Sequence, residues 1–416
     1  MSSLFSIITP THDPRWLNQA LQSLEAQTCG DWEWVIVPNN GCHIPDAIAE
    51  HPKVMAVPFP TPTGKIGALK RFCCEQVKGE ITVELDHDDL LTPNCLAALA
   101  EAFEDGTDFV YSNHAEFYDA TRQPYTYDPS YGWIFRDREF YGRKFTEIVA
   151  FEPTAHSCSL IHYAPNHVRA WRTSAYWDIG GHDPDMEVAD DHDLVCRFYL
   201  HKRMKHVDDC LYLYRLHGDN SYLLRNANVQ EGTASVRRKY LHTLIEHWVE
   251  LEGLPKVDLG SAQGKPDGYI GVDRYMAPGV DVVHDVSQGL PFEDNSVGMV
   301  RAFDFLEHIP DSVALMNEIY RVLVDGGWLI SGTPSTDGRG AFQDPSHVSF
   351  WNANSFWYYT DRNYAKYAPR LYARFQVGRL ETYFPTQFHS QHDIPYVYAD
   401  LVAVKSWRRR PGVVKI

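Results

Sequence analysis

Asp86, His87, Asp88 and Asp89 follow directly on the alternating apolar positions Ile81, Val83 and Leu85. Carboxylates set so close repel one another unless a cation or solvent lies between them. A hard divalent ion, Mg2+ or Mn2+, bridging the carboxylates to a diphosphate relieves that repulsion, because it prefers oxygen ligands. A solvated turn that is merely acidic relieves it as well, and the short string is compatible with both. A second acidic pair, Asp190 and Asp191, stands where a helix begins, a place where acids also favour the helix dipole. In the second half, the stretch from Val257 to Asp273 is rich in glycine, as a turn must be where backbone amides approach a ligand closely.

These residues need elements to place them. Phe5 to Thr9 reads as a short strand. Asp13 is expected to cap a helix with Pro14 at its first position, and Leu17, Ala20, Leu21 and Leu24 form that helix's apolar face. Trp34 to Val37 is the next strand, Ile81 to Leu85 the strand that delivers the acidic cluster, and Thr92 with Pro93 opens a further helix. This alternation predicts a parallel α/β sheet, whose ligands bind at the carboxyl edge of the strands. Val236, Tyr240, Leu241, Leu244, Trp248 and Leu251 then recur at helical spacing until Gly253 and Pro255 interrupt them. Strands and helices alternate again after Pro255. The expected organisation is a first domain over 1–232, a connecting helix and linker over 233–255, and a second domain over 256–416.

Bulk properties agree with two domains. A chain of 416 residues exceeds what one core usually serves. Its 44% apolar and 22% charged residues are ordinary for a globular protein. The formal net charge of −17 disfavours binding to a nucleic-acid backbone. Arg408, Arg409 and Arg410 are a local basic patch against that trend. Met1 to Pro10 has no basic n-region, and no stretch approaches the roughly 20 apolar residues that cross a bilayer, so a cytoplasmic enzyme without a transmembrane segment is expected. The 8 cysteines lie in the first half with no CxxC pair, which points to reduced, packed thiols rather than zinc.

Seven blocks stand in a fixed order in the first 220 residues: "FSIITPTHDP", "LNQALQSLEAQ", "WEWVIVPNNG", "GALKRFCCEQVKGE", "VELDHDDLLTP", "GGHDPDMEVADDHDLVCRF" and "LYLYRLHGDNS". Together they resemble the family 2 glycosyltransferases of the GT-A fold. The resemblance implies a nucleotide-sugar donor and transfer with inversion. It places Asp86 on the donor ribose or the metal, Asp88 directly on the metal at the diphosphate, and Asp89 in holding the loop. It makes Asp191 the general base, with Asp190 in place of the usual Glu. Inversion is a single displacement at the anomeric carbon and needs one carboxylate to take the acceptor's proton, but no nucleophile. His217 resembles a late metal ligand or diphosphate contact, and Arg215 would pair with phosphate oxygens as the leaving group gains charge. Pro10, Thr11, Asn39 and Lys70 line the donor side. Lys70 stands for the family's Arg and Asn39 for its Asp, so UDP is favoured with dTDP and GDP open. Between Tyr111 and Trp177 the chain is crowded with aromatic residues, which fit either an acceptor cleft stacked on sugar rings or a plain core.

From Lys256, "VDLGSAQGKPDGYIGVD" looks like the first motif of class I methyltransferases that use S-adenosylmethionine (SAM). A glycine-rich strand-to-helix turn is expected there, with Asp258, Gly260 and Gly264 in register and Ala262 in place of the middle glycine. The resemblance puts Asp273 on the ribose hydroxyls and Asp285 at the adenine. A helix from Asp311 to Leu323 and the turn at Gly326 and Gly327 continue it. Asp344 and His347 are candidates for a base at a methyl-acceptor site, or simply cap turns beside Pro345. The fold class expected is therefore α/β throughout: a GT-A nucleotide-diphospho-sugar transferase domain, then a Rossmann-like methyltransferase-type domain. The leading functional expectation is glycosyl transfer with methylation by the second domain. The alternatives are a non-catalytic second domain that docks an acceptor or partner, and sugar transfer to a hydroxylated nucleic-acid base.

Overall fold

The computed structural model describes residues 4–118, 127–220, 226–406 and 409–411. The chain divides into two compact units, Met1–Leu244 and Ile245–Ile416.

Unit 1 is built on a ten-stranded sheet. Its strands are β1 (Phe5–Thr11), β2 (Trp32–Pro38), β3 (Val54–Ala56), β4 (Ile81–Glu84), β5 (Leu90–Leu91), β6 (Phe109–Tyr118), β7 (Phe135–Phe140), β8 (Arg143–Ile148), β9 (Arg169–Arg172) and β10 (Met204–Leu216). The main order is β3-β2-β1-β4-β9-β6-β10-β5, with the β7–β8 hairpin paired to β6. β1 to β4 run parallel, but β9 enters antiparallel between β4 and β6, so the sheet is mixed rather than parallel as expected. Every residue of β1 and β4 is buried, because helices cover both faces of the sheet. The helix Leu17–Glu25 buries Leu17, Ala20, Leu21 and Leu24, the predicted face. Asp13 does not cap that helix: its Oδ1 accepts from the Arg15 N–H in a turn before the first helical residue, and Trp16 holds the cap position. Pro14 to Trp16 is consumed by that turn, which leaves Asp13 too early in the chain.

One close approach fixes the site. A Cβ on Gly67 would lie 2.0 Å from the Asp183 carbonyl oxygen, so only glycine lets the loop before Asp190 rest on the start of the helix Ile66–Gln76. That loop delivers Asp190 and Asp191 to the head of the helix Asp190–His201. The long helix Asn226–Leu251 starts earlier than its apolar periodicity suggested. Within unit 1 its Tyr240 hydroxyl donates to Asp193, and within unit 2 its Glu246 accepts from the Tyr269 hydroxyl.

Unit 2 has a seven-stranded sheet of β11 (Lys256–Leu259), β12 (Tyr269–Asp273), β13 (Val282–Val283), β14 (Val297–Phe303), β15 (Leu323–Pro334), β16 (Phe375–Tyr383) and β17 (Tyr396–Ala403). The order is β13-β12-β11-β14-β15-β17-β16, with β17 antiparallel to both of its neighbours. The helix Ser312–Val322 packs Leu315, Ile319 and Val322 inward, and Asp311 caps it by accepting from the Ala314 N–H. The expected strand-to-helix turn is corrected here. Residues 260–268 join β11 to β12 with no helix, because this short segment carries Gly260, Gly264, Pro266 and Gly268, all poor helix formers. All eight cysteines are free thiols, six of them buried, as their spacing led one to expect.

Candidate active site at the carboxyl edge of the first sheet

β1, β2 and β4 end side by side, and the Thr9 hydroxyl ties two of them by donating to the Leu85 carbonyl at 2.7 Å. Beyond β4 the acidic residues form a turn closed by the Asp89 N–H on the Asp86 carbonyl. Asp89 points inward, accepting from the Tyr212 hydroxyl (2.8 Å) and the Arg215 N–H (2.7 Å), so it holds the loop. Asp86 and Asp88 remain at the rim. Asp88 Oδ2 lies 2.8 Å from His217 Nε2, which brings together two residues far apart in sequence. His217 Nδ1 accepts the Asp219 N–H, so the ring proton sits on Nε2 and is donated to Asp88. In this tautomer His217 orients Asp88, and its Nε2 would meet an ion only with the ring proton moved to Nδ1. Trp16 packs against His217 with ring centroids 4.5 Å apart.

Behind the rim runs a buried chain of charges. Glu84 Oε1 pairs with Lys70 Nζ at 2.5 Å, and its Oε2 accepts from Arg169 Nε at 2.6 Å. Arg169 Nη1 reaches Asp191 Oδ2 at 2.8 Å, and Lys70 Nζ lies 3.7 Å from Asp190 Oδ2. His167 Nε2 stands 3.4 Å from Arg169 Nη2 and 3.5 Å from Asp86 Oδ2. The base candidate and the acidic turn are therefore linked through Arg169 and His167. Antiparallel pairing makes this possible, since the Val83 to Ala170 register sets Arg169 beside Glu84.

The two adjacent aspartates differ sharply. Asp190 is buried, and burial, with Asp191 and Glu84 nearby, pushes its carboxyl up to about 6 despite Lys70. Asp191 keeps 27% of its side chain exposed. Burial works against its charge, but Arg169 and Lys70 outweigh it and hold the carboxyl well below the usual range. Asp86 is pushed up to about 7 by burial and by the like charges of Glu84 and Asp88. A rim of carboxylates short of positive charge, with Asp86 still 32% exposed, fits a divalent cation.

Of the other expected donor contacts, Pro10 and Thr11 close β1 beside the end of β2. Asn39 is occupied in pinning Thr63, donating to its carbonyl and accepting from its N–H. Lys70 faces Glu84 and Asp190 rather than the rim. Arg215 donates to the Asp88 carbonyl and to Gln19 Oε1, so it braces the acidic turn. The aromatic segment divides: Tyr111, Trp171 and Tyr176 are core, while Phe117, Phe135 and Phe145 line an open cavity of about 770 Å3. Sequence reasoning missed Glu84, Arg169, His167 and Trp16. Glu84 alone carried a signal, as a charged residue inside an otherwise apolar strand.

In unit 2, β11 is followed by Gly260 with φ +75°, where a Cβ would lie 2.6 Å from Phe305. Asp258 is buried and paired with Arg301 at 2.7 Å. Asp273 accepts the Ala262 N–H and the Tyr275 N–H, each at 3.1 Å, so its carboxylate ties down the glycine loop. A carboxylate offers further lone pairs, and Asp273 is only half-buried at the edge, so ribose hydroxyls fit there. Ala262 has φ +36°, a conformation that suits glycine. Gly264 donates to the Ser261 carbonyl, and Asp285 accepts from the Ser287 N–H with Arg274 at 3.4 Å. Asp344 caps a turn through the Ser346 N–H and hydroxyl, the simpler of its two expected roles. His347 lies beside it, 3.9 Å from Asp344 Oδ2. Arg410 pairs with Asp325, and Arg408 lies outside the described residues. Among the described residues no helix is long and apolar enough to cross a membrane.

Residues 6–165 match the family model "Glycosyl transferase family 2", and residues 265–331 match "Methyltransferase domain". The first match includes the acidic turn but stops before Asp190, and the second begins after Gly264. A probable S-adenosylmethionine-dependent methyltransferase of Mycolicibacterium smegmatis is 35% identical over 84 residues, 19% of this chain and 33% of that protein. An uncharacterized protein of Sinorhizobium fredii is 28% identical over 109 residues, 24% of this chain and 12% of that protein. The chain thus spans a third or less of the curated relatives it matches. Among solved structures, S. aureus TarS 1–349 in complex with UDP-GlcNAc is similar with TM-score 0.44 and 16% identity, covering 60% of this chain and 73% of that one. The same protein in complex with UDP gives TM-score 0.43 and 18% identity, covering 61% and 71%. Each unit thus pairs its own sheet with one match, unit 1 with the glycosyl transferase family 2 model and unit 2 with the methyltransferase-domain model.

Proposed function

We propose that unit 1 transfers a sugar, with inversion, from a nucleoside diphosphate donor to an acceptor hydroxyl, and that UDP is the favoured nucleotide. The observation that carries this reading is the ion-pair chain through Arg169, which sets a half-open carboxylate, Asp191, beside the acidic turn. Asp86 and Asp88 would hold Mn2+ or Mg2+, with His217 joining through Nε2 in the tautomer that carries its proton on Nδ1. When bound, the ion supplies positive charge to a departing diphosphate. Asp191 takes the acceptor's proton. Because Arg169 keeps Asp191 ionised, it is a weak base, suited to a hydroxyl that becomes acidic as its oxygen bonds to the anomeric carbon. Asp190, buried with Lys70 Nζ 3.7 Å away, orients the helix start and takes no proton from substrate.

For unit 2 the proposal is methylation, with SAM held at Asp273 and Asp285 and supplying the methyl group. Asp258, Gly260 and Gly264 shape the loop beside it. A second reading, a docking module without catalysis, is favoured by one observation: the Ala262 N–H is already taken by Asp273, and no helix amino terminus follows. The functional boundaries proposed are 1–232, 233–255 and 256–416.

The test is turnover of UDP-, dTDP- and GDP-sugars with and without Mn2+. Asp88→Ala is expected to lose metal-stimulated turnover. Asp191→Asn is expected to keep donor affinity and lose roughly 10^2–10^4 in transfer rate; transfer at the normal rate by this variant would remove Asp191 as base. A calorimetric titration with SAM that gives no heat at about millimolar concentration, a weak-affinity limit, would reduce unit 2 to the docking reading.

A further inference from the structure

A second histidine–carboxylate cluster lies at the carboxyl edge of the unit 2 sheet. Glu307 and His308 follow β14, and His347 comes from the segment after β15. One ligand atom from each of the three lies within 4.8 Å of the others. The chemistry of the two imidazoles separates this cluster from a chance meeting. His347 Nδ1 is 3.1 Å from the Ala341 carbonyl, and His308 Nδ1 is 3.2 Å from the Ser346 carbonyl. A carbonyl only accepts, so each Nδ1 carries the ring proton and each Nε2 keeps its lone pair. Metal-binding histidines show this arrangement, with the far nitrogen donating to a carbonyl or carboxylate that fixes tautomer and ring angle.

The carboxylate is fixed in the same way. Glu307 is 2% exposed, and its Oε2 accepts the Thr333 hydroxyl at 2.7 Å. Its backbone carbonyl takes the N–H groups of Val348 and Ser349, which ties the strand-end turn to the segment that carries His347. The two imidazole rings meet edge to face with centroids 5.1 Å apart. All three residues border a cavity of about 230 Å3 that also touches Asp304, Asp344 and Tyr396. Two imidazoles and one carboxylate on one side of a cavity leave coordination positions open on the other.

We propose that Glu307, His308 and His347 bind a divalent transition ion of the zinc class, whose open positions face this cavity and accept oxygen ligands. Imidazole nitrogen selects zinc, cobalt(II) or iron(II) over magnesium. The rim of unit 1, made mainly of carboxylate oxygens, also suits Mg2+, so an excess of Mg2+ fills it and separates the two sites. That the oxygen ligand is a methyl acceptor's hydroxyl rests on the methylation reading above; the metal site itself does not.

The experiment is equilibrium binding of Zn2+ and Co2+ to the full chain in excess Mg2+, which occupies the oxygen-rich site. One tightly held equivalent of Zn2+ is expected, and Co2+ should give a visible d–d band that Zn2+ erases. His347→Ala and Glu307→Gln are each expected to weaken Zn2+ at least about tenfold, and Thr333→Val by roughly 10–100-fold as the loss of a supporting contact. Far-ultraviolet circular dichroism and Mn2+-stimulated sugar transfer should be unchanged in these variants. Acetohydroxamate, a bidentate oxygen probe, should shift the Co2+ band. Absence of a Zn2+ equivalent in excess Mg2+, or its retention in both His347→Ala and Glu307→Gln, overturns the proposal. A Co2+ band untouched by acetohydroxamate overturns the open positions. Loss of sugar transfer in Asp88→Ala with Zn2+ binding intact separates this site from the first.

Discussion

The carboxyl edges of the two sheets hold their acids by different means. In unit 1, side-chain ion pairs do it: Glu84 stands between Lys70 and Arg169, and each cation reaches on to one of the paired aspartates. In unit 2, backbone N–H groups do most of it, through Ala262 and Tyr275 on Asp273, Ser287 on Asp285, and Ser346 on Asp344. Asp258 there is buried and pairs with a half-buried cation, Arg301. Fixed buried charges create a strong field in a dry region, which suits a reaction in which a diphosphate departs. Backbone turns position acceptors without building such a field, which suits recognition of neutral hydroxyls. The histidines repeat the contrast, since His217 spends its Nε2 proton on Asp88 while His308 and His347 keep Nε2 bare.

If the contrast is right, Glu84→Gln has the largest effect on stability, because Lys70 and Arg169 then lose their shared partner. A loss of about 3–5 kcal/mol in a denaturant titration of unit 1 is expected. Arg301→Ala leaves the buried Asp258 without its one half-buried cation, and about 1–3 kcal/mol is expected. Asp258→Asn, which removes the charge instead of its partner, should be close to neutral, and a loss equal to that of Arg301→Ala would blur the distinction between the two edges.

Asp190 sharpens it further through pH. Its folded carboxyl, pushed up to about 6, exceeds the ordinary value of 3.8, so its contribution to stability is complete below 3.8 and is lost as pH rises through about 6. Asp190→Asn should therefore flatten the fall in unfolding free energy between about pH 4 and 7, by about 1–2 kcal/mol in denaturant titrations. Asp86 has the same sign, so some slope should remain. A small effect is expected for Asp273→Ala, which frees two N–H groups at the surface and should cost about 1 kcal/mol by thermal melting. A loss as large as that of Glu84→Gln would mean that backbone anchoring matters as much as ion pairing.

Much of the scaffold was legible in local pattern. The strands at Phe5, Trp34 and Ile81, the apolar face of Leu17 to Leu24, and the helix expected over Asp311 to Leu323 follow from periodicity. The missing helix after Gly260 was not read, because the glycine pattern was taken to imply a helix that the short segment before Tyr269 cannot contain. The role of Asp13 was misplaced by a few residues for a similar reason: turn and cap share the same chemistry.

By itself the sequence determined which strands lead into carboxylates, since the acids follow the apolar alternation directly along the chain. Only the tertiary structure decided which cations answer them. Arg169 sits in a segment without any local pattern, and it becomes the partner of Glu84 and Asp191 solely because β9 inserts antiparallel beside β4. Long-range electrostatic pairing depends on distance in space, and no spacing along the chain encodes it.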